Sequence, residues 1–263
     1  MASKNGKNGK ESTALIKTTL EDQNLLARVG FDVEQELITQ QQGLNIQPPR
    51  VKIEHSQSGR HRLYVDRGET YLDSEAQIED LKDNAFEGIV ALAQPVRAYF
   101  ENGQKMPKCA AIGNIPTVIE PLSKSCIGCS YNKIGSPCKP KIRLFVLRRK
   151  GDKYEPVIFP LSPTSIKHWN DHIRKLSRQK IPYIAVTTTF GLEDVENHPY
   201  RWAEVLLGIN GGVSEQELLA IKDFRQTYTD YMQQVHKADF EDPGDVVKPE
   251  APSEPPGDEE IPF

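Results

Sequence analysis

Cysteine is scarce and confined in this chain: all four lie between Cys109 and Cys138, and the rest of the 263 residues has none. That confinement argues against a disulfide framework spread over a secreted fold. Long apolar runs are missing as well. No stretch approaches the ~20 residues needed to cross a bilayer, and the opening MASKNGKNGKE lacks the charged-then-apolar pattern of a leader. A cytoplasmic protein without membrane contact is therefore expected. A glycine-rich phosphate loop, a serine elbow and an HExxH helix are all absent, which removes the commonest catalytic signatures. His168 and His172 stand at i, i+4, but no carboxylate joins them at matching spacing. Lys167 and Arg174 beside them point to a solvated basic face. Asp66, Glu69 and Asp73 would have to converge to serve a metal-dependent nuclease, and scattered loop acids are common. A protein that is not an enzyme is expected.

What is present centres on the cysteines, spaced Cys109-x16-Cys126-x2-Cys129-x8-Cys138. Four thiolates suit one tetrahedral Zn2+, and the short Cys-x2-Cys turn lets two sulfurs chelate the same ion. Gly128, Gly135 and Pro137 stand where the backbone must turn tightly to aim sulfur inward. Four protein ligands leave no open position for water, so such a zinc is structural, stapling a loop over 105–141. A redox Cys-x2-Cys would leave Cys109 and Cys138 unexplained.

Charge is unevenly spread. From Lys237 to Phe263 nine acids face two lysines, a balance of −7, which leaves +3 on the rest of a chain whose total is −4. A mildly basic body with an acidic tail fits a nucleic-acid binder whose tail competes for its own groove. The patterning divides the chain into a basic arm and N-terminal helices (1–47), a β core (48–212), a C-terminal helix (213–236) and a disordered acidic tail (237–263). Helical spacing covers 12–42. Alternation predicts a hairpin of 51–54 with 61–66, one or two strands over 89–100 broken near Pro95, and a strand over 141–147 returning at 154–159. Residues 74–84 read as a short polar helix. Ser162-Pro163 opens a helix lined by Ile166, Trp169, Ile173 and Leu176. Strands follow over 183–190 and 200–207. The capping box Ser214–Glu217 then starts a long helix reaching Val235. Seven or so short strands, two helices and a metal-stapled loop make the expected fold class mainly β (α+β), an OB-like barrel.

A single-strand groove needs cations for phosphates and aromatic faces for splayed bases. The alternation places Lys141, Arg143 and Phe145 on one face of their strand. Arg62 with Tyr64 repeats the arrangement, and Arg148 and Arg149 rim the following turn. These seven are the predicted DNA contacts. The last six residues, Asp258, Glu259, Glu260, Ile261, Pro262 and Phe263, form a portable ligand. Phe263 suits an apolar pocket, Pro262 limits the entropy lost on docking, and the acids steer toward a basic rim.

Acids followed by Ile-Pro-Phe closely resemble the terminal tail of bacterial and phage single-stranded-DNA-binding proteins. The Pro49-Arg50-Val51-Lys52-Ile53 stretch, the cysteine loop, the basic strand after it and Ser162-Pro163-Thr164-Ser165 resemble the zinc-containing members from phages and mobile elements. The overall plan is similar to that of phage helix-destabilising proteins, although four cysteines and no histidine serve the metal here. The resemblance implies sequence-nonspecific binding of single-stranded DNA in replication or recombination. It also implies self-association along the strand, and recruitment of replication or recombination proteins by the tail in a bacterial or phage-infected cell. A strand-annealing mediator and a zinc-stapled adaptor holding no DNA are the alternatives.

Overall fold

Period-two alternation is realised as a single curled sheet. The computed structural model describes residues 30, 32, 47–56, 58–68, 77–101, 104, 106–133 and 136–240. The chain divides into two units, Met1–Gln47 and Pro48–Phe263. The basic arm, nearly all of the predicted helical stretch 12–42, and residues 241–263 lie outside the described residues.

Strand β1 (Arg50–Glu54) pairs antiparallel with β2 (Arg62–Asp66), as the alternation predicts. The connection turns at Gly59, whose φ of 75° favours glycine. Over the described residues 77–84 the helix expected for 74–84 does not form. Ile78–Asp80 is a third strand, β3, on the edge of β2, and Lys82–Asn84 is one 3-10 turn. Buried Leu81 explains the difference: its N–H bonds to the Leu63 carbonyl at 2.9 Å, so tertiary pairing overrides a weak local preference.

Strand β4 (Ala85–Tyr99) runs unbroken through Pro95. It borders β9 over Ala85–Ile89, β7 over Gly88–Ala98 and β5 over Val96–Tyr99. Proline is tolerated because its missing N–H would point to the side where β9 has ended and β5 has not begun; the Pro95 carbonyl already faces that way, accepting from Gly113 at 2.7 Å. The short hairpin β5 (Cys109–Ile112) and β6 (Ile115–Pro116) carries the cysteine loop out from this point. Then come β7 (Lys139–Lys150) and β8 (Lys153–Leu161), turned at Gly151. Helix α1 spans Ile166–Arg178, and β9 (Val186–Asn197) and β10 (Tyr200–Gly212) form a long hairpin. The expected single C-terminal helix is broken at Tyr228 into α2 (Glu215–Thr227) and α3 (Thr229–Met232).

The strand order β10-β9-β4-β7-β8-β1-β2-β3 curls into a half-barrel, mainly β with flanking helices. Its concave side buries Val51, Val65, Phe86, Val90, Leu144, Val146, Phe159, Phe190 and Val205, and Trp169 of α1 closes one end. Side chains bridge the gap between β10 and the β1–β2 hairpin. Ala203 N–H donates to His55 Nδ1 at 3.2 Å and Val205 N–H to Ser165 Oγ at 2.9 Å. Ser165, not Ser162, precedes the first turn of α1, and its hydroxyl serves β10 in place of a helix cap.

Close approach of β4 to β7 requires glycine at position 88. A Cβ there would meet Val146 Cγ1 at 2.6 Å and the Leu147 carbonyl oxygen at 2.7 Å. At Gly208 the nearest atom, at 2.4 Å, is Thr189 Oγ1, which can rotate away. Gly88→Ala is expected to cost about 1–3 kcal/mol in urea unfolding and Gly208→Ala distinctly less. Equal midpoints for the two variants would refute this ranking.

Candidate functional site

The two faces of β7 differ in composition, and both are covered. Ile142, Leu144 and Val146 face the half-barrel. Phe145 and Leu147 on the outer face join Ile89, Ala91 and Ile158 in a second core, sealed by Ile221 and Phe224 of α2 and by Tyr231 and Met232 of α3. The predicted DNA contacts on this strand are therefore not a wet surface. Lys141, Arg143, Phe145 and Arg148 are all buried, Arg143 completely so. Alternation distinguishes two faces; it does not say that a distant helix pair lies over the polar one.

Arg143 is buried with partners rather than exposed for phosphate. Its Nη1 pairs with Asp239 Oδ2 at 2.9 Å and donates to the Gln234 carbonyl at 2.8 Å. Its Nη2 donates to Gln94 Oε1 at 2.8 Å and to the Met232 carbonyl at 3.1 Å, satisfying carbonyls exposed at the end of α3. The other oxygen of Asp239 takes Arg50 Nη1 at 2.7 Å, and Arg50 also donates to the Tyr231 hydroxyl. Burial pushes the Tyr231 phenol up to about 12, so it stays a neutral hydroxyl. Asp239, read from sequence as the start of a disordered tail, is instead fully buried.

Arg148 is engaged too. It reaches Glu79 at 2.9 Å and also pairs with Glu155, while Arg67 joins the same two carboxylates. Tyr64 is buried with the Arg62 guanidinium 4.8 Å from its ring centre, and Arg62, partly exposed, pairs with Glu54 at 3.0 Å. Arg149 is exposed at the turn. His168 meets Glu204 at 2.7 Å while His172 packs on Trp169, so the histidine pair serves packing. Asp66 is held by Lys52 at 2.7 Å and by the Gly68 N–H at 2.9 Å, a structural role; Glu69 and Asp73 lie outside the described residues. So do Asp258 to Phe263.

The cysteines do come together. Cys109 lies opposite Tyr99 at the end of β4, and Cys126 is tied back by its N–H to the Asn114 carbonyl at 3.1 Å. Between Cys126 and Cys129, Gly128 takes a φ of 76°, and Cys129 N–H turns back to the Cys126 carbonyl at 3.4 Å. Cys138 enters just before β7. All four line one cavity of about 20 Å³, room for a single ion or water. Among the described residues no three His, Cys, Asp or Glu side chains are drawn close enough to form a finished metal-binding group. The shared cavity and the all-sulfur donor set nevertheless fit one zinc ion. Burial pushes the Cys126 and Cys138 thiols up, the other thiols add to this, and Arg97 opposes it.

Sequence reasoning missed Arg97, Tyr99, Tyr131 and Asn132 among the other residues of that cavity wall. Arg97 donates to Asn132 Oδ1, and Asn132 Nδ2 donates to the Cys126 carbonyl at 2.8 Å. The signal was available: Arg97 and Tyr99 alternate on the strand leading into the loop, and Tyr131 follows the Cys-x2-Cys by two. Compared with protein-family models, curated proteins and solved structures, the chain matches none. Among the described residues no helix is long and apolar enough to cross a membrane.

The buried ion pairs set an acid limit on stability. Burial alone would raise both carboxyls, but Arg50 and Arg143 hold Asp239 below the usual range, and Arg148 and Arg67 hold Glu79 at about 2. Because these groups bind protons less readily folded than unfolded, their contribution is full above about pH 5 and is lost as pH falls through the folded values, about 2 for Glu79. Urea midpoints should hold near neutrality and drop steeply below pH 4. Asp239→Asn should cost about 3–5 kcal/mol at pH 7 and flatten that drop; an unchanged midpoint would remove Asp239 from this role.

Proposed function

We propose that the chain binds single-stranded DNA without strong sequence preference, in replication or recombination in the cytoplasm of a bacterial or phage-infected cell. The half-barrel is read as an OB-like core that displays its cysteine loop, rather than its β7 face, to the strand. The observation that carries this reading is the charge of that loop region. Residues 97–140 hold six cations and two carboxylates on a chain whose acids are concentrated after Lys237. Such local positive charge holds phosphates by releasing their counterions. Arg62 and Arg149, on the surface, remain candidate phosphate contacts.

Zn2+ held by Cys109, Cys126, Cys129 and Cys138 would supply a structural cross-link, fixing the loop without taking part in any reaction. The acidic segment with its Asp-Glu-Glu-Ile-Pro-Phe motif is read as the recruiter of replication or recombination proteins, with Phe263 as anchor. A second reading, a zinc-stapled adaptor, is favoured by apolar side chains in the open on the same loop: Met106, Ile115, Ile119 and Ile127. An open groove of about 460 Å³ beside them, between the β5–β6 hairpin and α3, would take part of a protein partner.

Titration with an oligo-dT strand and a duplex at two salt concentrations tests the choice. Tight binding to the single strand alone is expected, with log K falling against log salt by roughly 0.7 per phosphate contact. Weak, salt-insensitive contact with both would select the adaptor. Cys126→Ser should release one equivalent of zinc, measured by metal analysis, and lower the melting temperature. Zinc-free protein of unchanged stability in both forms would exclude the structural metal.

A further inference from the structure

We infer that the stacked rings of Tyr99 and Tyr131 form a platform on which an unpaired nucleobase stacks. The inference rests on the single-strand reading above and names where that strand would be gripped. The two ring centres are 5.7 Å apart with planes inclined by 19°, a stacked pair. Tyr131 is 38% exposed, although a ring of this size is ordinarily covered in a packed pair. A ring stacked on one face and open to solvent offers a flat apolar surface that every base can use, which is what sequence-tolerant recognition requires.

The platform is preorganised. Tyr99 closes β4, in register with Cys109, and its carbonyl accepts the Lys108 N–H at 2.8 Å. Tyr131 stands between two fixed points. Asn132 is bonded through its own N–H to the Cys129 carbonyl at 2.9 Å and through its side chain to Cys126 and Arg97, while the Ser136 hydroxyl donates to the Tyr131 carbonyl. Little side-chain or loop entropy is left to lose when a base docks. Charge is at hand for the flanking phosphates: Lys124 and Lys133 are exposed on the same loop, while Lys108 is paired with Glu101. The exposed ring of Tyr131 and the cations thus come from one cysteine-bearing segment, whereas the Lys141–Arg148 strand face is covered.

The test is a fluorescence titration of the full chain with oligo-dT, comparing wild type with Tyr131→Ala, Tyr131→Leu, Tyr131→Phe and Lys133→Gln, each checked for melting temperature and zinc content. Tyr131→Ala and Tyr131→Leu should weaken binding by about five- to a hundredfold with the salt slope unchanged, since stacking releases no counterions. Tyr131→Phe should bind as wild type, and Lys133→Gln should flatten the slope. If Tyr131→Ala loses stability, Tyr131→Leu against Tyr131→Phe carries the comparison, because both fill the site and only one stacks. In addition, Tyr131→Trp should show indole fluorescence quenched by oligo-dT. Wild-type binding with Tyr131→Leu equal to Tyr131→Phe would overturn the platform and leave the single-strand reading standing. Failure of the wild type to bind oligo-dT would overturn that reading, and the platform with it.

Discussion

One carboxylate, Asp239, holds two buried guanidiniums and in doing so fixes how the C-terminal segment closes the sheet. Arg50 enters from β1 and Arg143 from β7, strands that flank β8 on either side, and each takes one oxygen of Asp239. The Nη1 and Nη2 groups of Arg143 also donate to the Gln234 and Met232 carbonyls at the end of α3. Tyr231, stacked on His236 with ring centres 3.8 Å apart, takes a bond from Arg50. Two cations so deep would be prohibitively costly without this set of partners. With them, the outer face of the sheet accepts Ile221, Phe224 and Met232 as a second core.

That closure decides where surface chemistry can reside. From Lys141 to Arg148 both sides of β7 are packed, so this part of the strand is a rigid support. In the function proposed above, ligand contact falls to what projects from the support: the segment between β4 and β7, with its cysteines, lysines and open apolar side chains. A loop of that kind pays a large conformational cost on binding unless something fixes it beforehand. Here the fixing comes from the Arg97–Asn132–Cys126 chain of bonds.

Parts of this were legible in the residues. The β1–β2 and β7–β8 hairpins follow from alternation with turn residues between, and the Ser214–Glu217 capping box forms as its spacing indicates. The four cysteines Cys109, Cys126, Cys129 and Cys138, grouped in sequence, line one cavity. Other features were not legible. Arg143 reads as a wet cation because its partner lies 96 residues away. Residues 78–80 read as helix because their strand pairing depends on Tyr64, Val65 and Asp66, which local sequence does not see. Pro95 reads as a break because whether a strand tolerates proline depends on which neighbours have ended beside it.

The sequence by itself determined part of the local grammar of this protein: where the β1–β2 and β7–β8 hairpins reverse, where α2 begins, how four sulfurs are spaced, and how acid and base are distributed along the chain. These follow from backbone sterics and side-chain periodicity within a few residues. Only the tertiary structure decided which polar side chains are surface and which are interior. Burial of a charge depends on a partner brought from far along the chain, and Asp239 reaches Arg50 and Arg143 only once the sheet has curled and α2 and α3 have packed across it.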